Sequence, residues 1–128
     1  MLSTLTPVIE TQMIAITVVN LECSRDFYEG ILGFEVKRFY EPTRWVAYQG
    51  RGGVFLAVLE SQRLDDDLTP NSEIVFACND IEVLWQRIQG LSQNCIIEPL
   101  QESLWGTKRF IVCDPDGYQL VFVKMDGH

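Results

Sequence analysis

Histidine is nearly absent from this chain: of 128 residues only His128 is one, and it is the last. Chain ends fray, so no Ser-His-Asp or Cys-His catalytic pair is built there. Zinc and iron sites assembled from several imidazoles are excluded by the same count. Basic residues are scarce too, ten against eighteen acids, for a net charge of −8. Such a chain repels polyanions, and its two basic doublets, Lys37-Arg38 and Lys108-Arg109, make no stripe for nucleic acid. C-x-x-C pairs are missing. Cys23, Cys78, Cys95 and Cys113 are spread through apolar stretches and read as reduced thiols of a cytoplasmic protein. Residues 1–12 lack the basic start and apolar run of a signal peptide, and no apolar stretch is long enough to cross a bilayer. The expectations are a cytoplasmic location, with neither nucleic acid nor membrane as partner.

What is present suffices for a core. A hydrophobic share of 47% with 22% charged residues suits a globular chain, and 128 residues make one domain, 1–128, that needs no disulfide or metal staple. The β-branched run from Met13 to Val19 reads as a strand buried on both faces. Asn20 then offers a helix N-cap, with Phe27, Tyr28, Ile31 and Leu32 on one side of a short helix and Gly33 as its stop. Strands at 34–39, 44–49 and 54–59 follow, separated by turns at 41–43 and 50–53. A polar connector at 61–72 carries Asp65, Asp66 and Asp67; a solvated loop or an attraction for cations explains that run.

Then the plan restarts. A strand at 73–78 precedes Asp80, a second N-cap, and a helix whose Ile81, Leu84, Trp85 and Ile88 fall on one stripe before Gly90 ends it. Strands at 95–100, 107–113 and 119–124 complete the half, the last two joined by the turn Asp114-Pro115-Asp116-Gly117. Each half is thus βαβββ, as modules 13–60 and 73–125. The fold class is α+β: two βαβββ modules forming a curved mixed β-sheet cleft, one face of each sheet on its helix and the other lining the cleft.

The segment from Asn20 to Phe34, with Phe27-Tyr28 and Leu32-Gly33-Phe34, resembles the "DL..S..FY...LGF" signature of the vicinal oxygen chelate superfamily, which holds glyoxalase I, bleomycin-resistance proteins, extradiol dioxygenases and fosfomycin-resistance enzymes. The stretch from Phe110 to Gly117 is similar to that superfamily's "F...DPDG" turn, and the resemblance covers 13–124. It implies four metal-ligand positions, usually His, Gln or Glu, which map here onto Met13, Ala57, Glu73 and Val121. A hard divalent cation needs several oxygen or nitrogen donors, and this set offers one carboxylate. The resemblance therefore implies a chain with no metal site and no cofactor. The segment from Leu104 to Phe110 is similar to "PWG.R.F" of the metal-free bleomycin-resistance-like branch, with Leu104 in place of the proline.

The expected function is metal-independent binding of a small molecule, with a cationic or planar antibiotic-like ligand sequestered in the cleft. Its residues are Glu73, Trp105, Arg109, Trp45, Tyr48, Phe55 and Val121. Glu73 serves as an anchor for a cationic group, as a general base if the chain is an enzyme, or simply as a strand-end carboxylate in water. Trp105 and Trp45 offer stacking or cation–π faces, or pack in the core or a dimer interface. Arg109, in an apolar strand, needs a partner, either Glu73 across the cleft or a ligand carboxylate. Tyr48 offers a hydroxyl to a ligand or sits half-buried on the rim. Phe55 and Val121 belong to an apolar cup with Ala15, Ala57, Leu59, Val75 and Val123. Two other readings stay open: a lyase or isomerase using Glu73 or an atypical metal site, and a regulatory subunit whose cleft is closed. A homodimer, with the cleft completed by the partner chain, is implied by the resemblance.

Overall fold

The computed structural model describes residues 7, 12–50, 54–61, 73–102 and 106–124. Module 1 runs β1 (Met13–Val18), α1 (Leu21–Arg25), β2 (Val36–Tyr40), β3 (Trp45–Gln49) and β4 (Phe55–Glu60). Module 2 repeats it as β5 (Glu73–Cys78), α2 (Ile81–Leu91), β6 (Ile96–Glu102), β7 (Lys108–Cys113) and β8 (Gln119–Lys124). The two sheets have the same order, β1-β4-β3-β2 and β5-β8-β7-β6, with the first strand of each parallel to the last and the other pairs antiparallel. The α+β reading with two βαβββ modules stands.

The caps hold as read. Asn20 Oδ1 accepts from the Cys23 N–H at 2.9 Å, and Asp80 Oδ1 accepts from that of Val83 at 3.3 Å, so both helices begin on a non-helical residue whose side chain takes up a free amide. The first helix is not α-helical throughout. It widens into a π-helical turn over Asp26–Ile31, where the Leu32 N–H reaches back to the Phe27 carbonyl at 3.0 Å. The wider turn lets the adjacent Phe27 and Tyr28 both be buried. Gly33 follows at φ +80°, a left-handed stop open to glycine. Gly90, expected to end the second helix, lies inside it; α2 runs on to Leu91, and the Ser92 N–H closes it on the Ile88 carbonyl at 2.8 Å.

Strand alternation divides each sheet into two faces. The inner faces carry Ile16, Val18, Val46, Tyr48, Leu56 and Val58 in module 1, and Ile74, Phe110, Val112, Leu120 and Phe122 in module 2. These side chains form one cluster with Leu21, Phe27, Tyr28, Ile81 and Ile88 of the helices. The modules are therefore joined through a common core. Polar ties cross the same boundary. The Tyr28 hydroxyl donates to Asp114 Oδ2 at 2.7 Å, the Val19 N–H to Asp116 Oδ1 at 2.9 Å, and the Tyr118 hydroxyl to the Thr17 carbonyl at 3.0 Å. Arg87 caps the end of the π turn, donating to the carbonyls of Ile31 at 2.8 Å and Gly30 at 3.0 Å.

Candidate functional site

The outer faces follow from the register. On module 1, Met13 pairs with Phe55, Ala15 with Ala57 and Thr17 with Leu59; across β4 from these stand Gln49, Ala47 and Trp45. On module 2, Glu73 pairs with Gln119, Val75 with Val121 and Ala77 with Val123; across β8 stand Cys113, Ile111 and Arg109. Because the inner faces share one core, these outer faces turn away from it. Within one chain they belong to separate sheets and do not oppose each other across that core.

The four positions matched to metal ligands all lie on these outer faces. Ala57 sits between Ala15 and Ala47, and Val121 between Val75 and Ile111, each under 7% exposed; Met13 is 44% exposed and Glu73 opens to solvent. A methyl, an isopropyl and a thioether leave Glu73 as the one hard donor, so the set does not fit a hard divalent cation. Among the described residues, no group of three His, Cys, Asp or Glu side chains is placed to hold a metal ion.

Trp45, half-buried, lies on the outer face of module 1 beside Leu59 and Tyr40. Arg109 is on the outer face of module 2, but its partner is not Glu73. Its guanidinium donates to Glu98 Oε2 at 3.3 Å on the neighbouring strand. Glu73 and Arg109 are two strands and four residues apart in register, on the order of 15 Å. Of the two partners considered for Arg109, Glu73 is therefore not the one it takes within the chain. Tyr48 is on the opposite side from Trp45, since an odd separation along a strand reverses the face. It is 3% exposed, and its hydroxyl donates to Glu29 Oε2 at 2.8 Å. Burial, with the Glu29 carboxylate beside it, pushes the Tyr48 hydroxyl far above the usual phenol range. Burial opposes ionisation of Glu29 as well, yet hydrogen bonds from Arg25 and Tyr48 win and hold its carboxyl below the ordinary value. Trp105 lies outside the described residues.

Phe55 and Tyr48 meet elsewhere, at a cavity of about 670 Å³ between the modules. Its wall includes Phe34 of module 1 and Phe76 and Phe122 of module 2, none of which the sequence reading named as a site residue. Their contribution is invisible in either module alone, because the cavity exists only where the two meet.

The description "Glyoxalase/Bleomycin resistance protein/Dioxygenase superfamily" belongs to the family model that matches residues 11–122. No curated protein matches the sequence. Solved structures share the fold. TioX from Micromonospora sp. ML1 is 16% identical at a TM-score of 0.72, covering 90% of this chain and 98% of its own. A superfamily member from Sphaerobacter thermophilus DSM 20745 is 24% identical at 0.73, covering 92% and 98%. A protein of unknown function from Agrobacterium tumefaciens str. C58 is 20% identical at 0.75, covering 94% and 97%.

Proposed function

This chain belongs to the glyoxalase/bleomycin resistance protein/dioxygenase superfamily, and on that premise we propose that it binds a small organic molecule without a metal. The observation that carries the proposal is the make-up of the outer faces. Where a metalloenzyme of this fold would present four donors, Met13, Ala57 and Val121 present carbon and sulfur, and the floor around them is Ala15, Ala47, Val75 and Ile111. Such a floor contacts rings and aliphatic chains. Glu73 and Trp45 give its margins a carboxylate and an aromatic face, suited to a cationic or planar antibiotic-like molecule that is held and sequestered.

The ligand cleft in this proposal is completed by a second copy. Among the described residues β1 and β5 are paired on one side only, and the large apolar side chains Met13, Ile14 and Val75 on them are 41–58% exposed. Exposed apolar edges of this kind are surfaces that association covers. The four cysteines are all free thiols, which supports a reducing, cytoplasmic setting. Among the described residues, no helix is long and apolar enough to cross a membrane.

Quenching of tryptophan fluorescence by a panel of cationic and planar antibiotics tests the binding. The expected result is saturable quenching by some member, weakened by Glu73→Gln, with no stoichiometric metal in the purified protein. Stoichiometric nickel, zinc, manganese or iron surviving dialysis, or no quenching by any panel member at high micromolar concentration, overturns it. Light scattering that gives a monomer at those concentrations removes the dimeric cleft.

A further inference from the structure

We infer that the cavity between the two modules is itself a binding site for a planar aromatic cation, distinct from the open sheet faces on which the proposed function rests, although Phe55 and Val75 border both. Its volume, about 670 Å³, lies within the range of small-molecule sites, roughly 300–1,000 Å³. Phe34 and Phe55 from module 1 and Phe76 from module 2 bring partly exposed rings to its wall, backed by the buried Tyr48 and Phe122.

The rings hold one another in place. Phe34 meets Tyr48 edge-on at 5.8 Å and Phe76 edge-on at 5.4 Å, while Phe76 stacks on Phe122 at 5.2 Å. A ligand therefore finds aromatic surfaces already positioned, with little side-chain freedom left to lose on binding. The Tyr48 hydroxyl is committed to Glu29 and the residue is 3% exposed, so it backs the wall and does not itself face a ligand.

Charge decides which flat molecule is favoured. Glu35 is the one charged side chain among the described lining residues; it stands exposed at the rim, with Lys37 loosely paired to it at 3.4 Å. The chain as a whole carries −8. A cation gains from the ring faces, from Glu35 and from the overall field, whereas an anion gains from none of them. Val54, Val75 and Ile14, 37–58% exposed, border the opening and give an apolar ring system its way in.

Proflavine, a tricyclic cation, is the probe, titrated into the full chain by its own fluorescence with 1-anilinonaphthalene-8-sulfonate as the anionic comparison. Gly50→Trp and Cys78→Trp each place a bulky ring on the lining, Cys78 falling on the same side of β5 as Phe76; a side chain at Gly50 starts in open space, so that variant keeps the fold. Either one is expected to weaken proflavine binding by about tenfold or more, and Glu35→Gln by about fivefold at low salt. Glu73→Gln, on the open face, leaves this binding unchanged. Amide shifts in the unmutated protein give an independent reading, with proflavine moving Phe34 and Phe76 and sparing Ala57 and Val121. Failure of proflavine to bind, tighter binding of the anion, or indifference to both tryptophan variants overturns the cavity site. Loss confined to Glu73→Gln, with shifts at Ala57 and Val121, overturns it too while leaving the proposed function standing.

Discussion

Replacing Tyr28 by Phe removes one oxygen from the middle of the joint between the modules. Tyr28 is fully buried and Asp114 is 4% exposed, and the hydroxyl donates to the carboxylate at 2.7 Å. The backbone N–H groups of Asp116 and Tyr118 complete the shell around Asp114 at 3.0 and 2.8 Å. Burial raises the Asp114 pKa, against the lowering effect of these three donors. A folded-state value above the unfolded one means that this group supports folding most below about pH 3.9 and loses that support as pH rises through the folded value. Tyr28→Phe takes away a donor to the charged form, so the folded value climbs further and the loss at neutral pH deepens. A hydrogen bond to a buried charge is worth about 1.5–3 kcal/mol, one to a neutral group about 0.5–1.5. The cost of Tyr28→Phe should therefore be about 1.5–3 kcal/mol at pH 7, a fall in melting temperature of roughly 6–12 °C for a chain this size, and about half that at pH 4. In an Asp114→Asn background the pH dependence of that cost should vanish, which a double-mutant cycle by urea denaturation reads directly. An equal cost at pH 7 and pH 4, or a cost below about 0.5 kcal/mol at pH 7, refutes the reasoning.

Other outcomes follow from single positions. Arg44 sits at φ +54° and reaches Glu22, Glu41 and Glu60, so Arg44→Gln should lower the melting temperature at low salt and much less near 1 M salt; an equal drop in both contradicts an ionic clamp. Gly33→Ala should destabilise by about 1–2 kcal/mol, because an alanine is strained at φ +80°. Gly90→Ala, inside α2 with nothing near its added methyl, should instead stabilise by about 0.5–1 kcal/mol; the same sign for both in thermal unfolding sinks the argument. Val75→Lys, which puts a charge on β5, an end strand among the described residues, should shift a dimer toward monomer in light scattering, and an unchanged mass would place the interface elsewhere.

The repeat was readable because its signals are local. Asn20 and Asp80 cap, Gly33 stops, and apolar residues alternate along strands that fall within two residues of their expected ends. Gly90 misled, since glycine ends a helix only where the chain needs a left-handed residue, and here helical hydrogen bonding carries on past it. The opposite faces of Trp45 and Tyr48 were legible in principle from their odd spacing. The partner of Arg109 was not, because β6 is irregular on both sides of Glu98 and no count along the strand predicts what stands opposite.

Histidine scarcity, the apolar set at Met13, Ala57 and Val121, and the βαβββ order are properties of the sequence by itself, since each depends on residue identity and near-neighbour spacing. The direction of the open faces, the Tyr28–Asp114 joint and the aromatic cavity were decided only by tertiary structure. They join residues tens of positions apart, and what brings those together is one shared core whose packing no local pattern encodes.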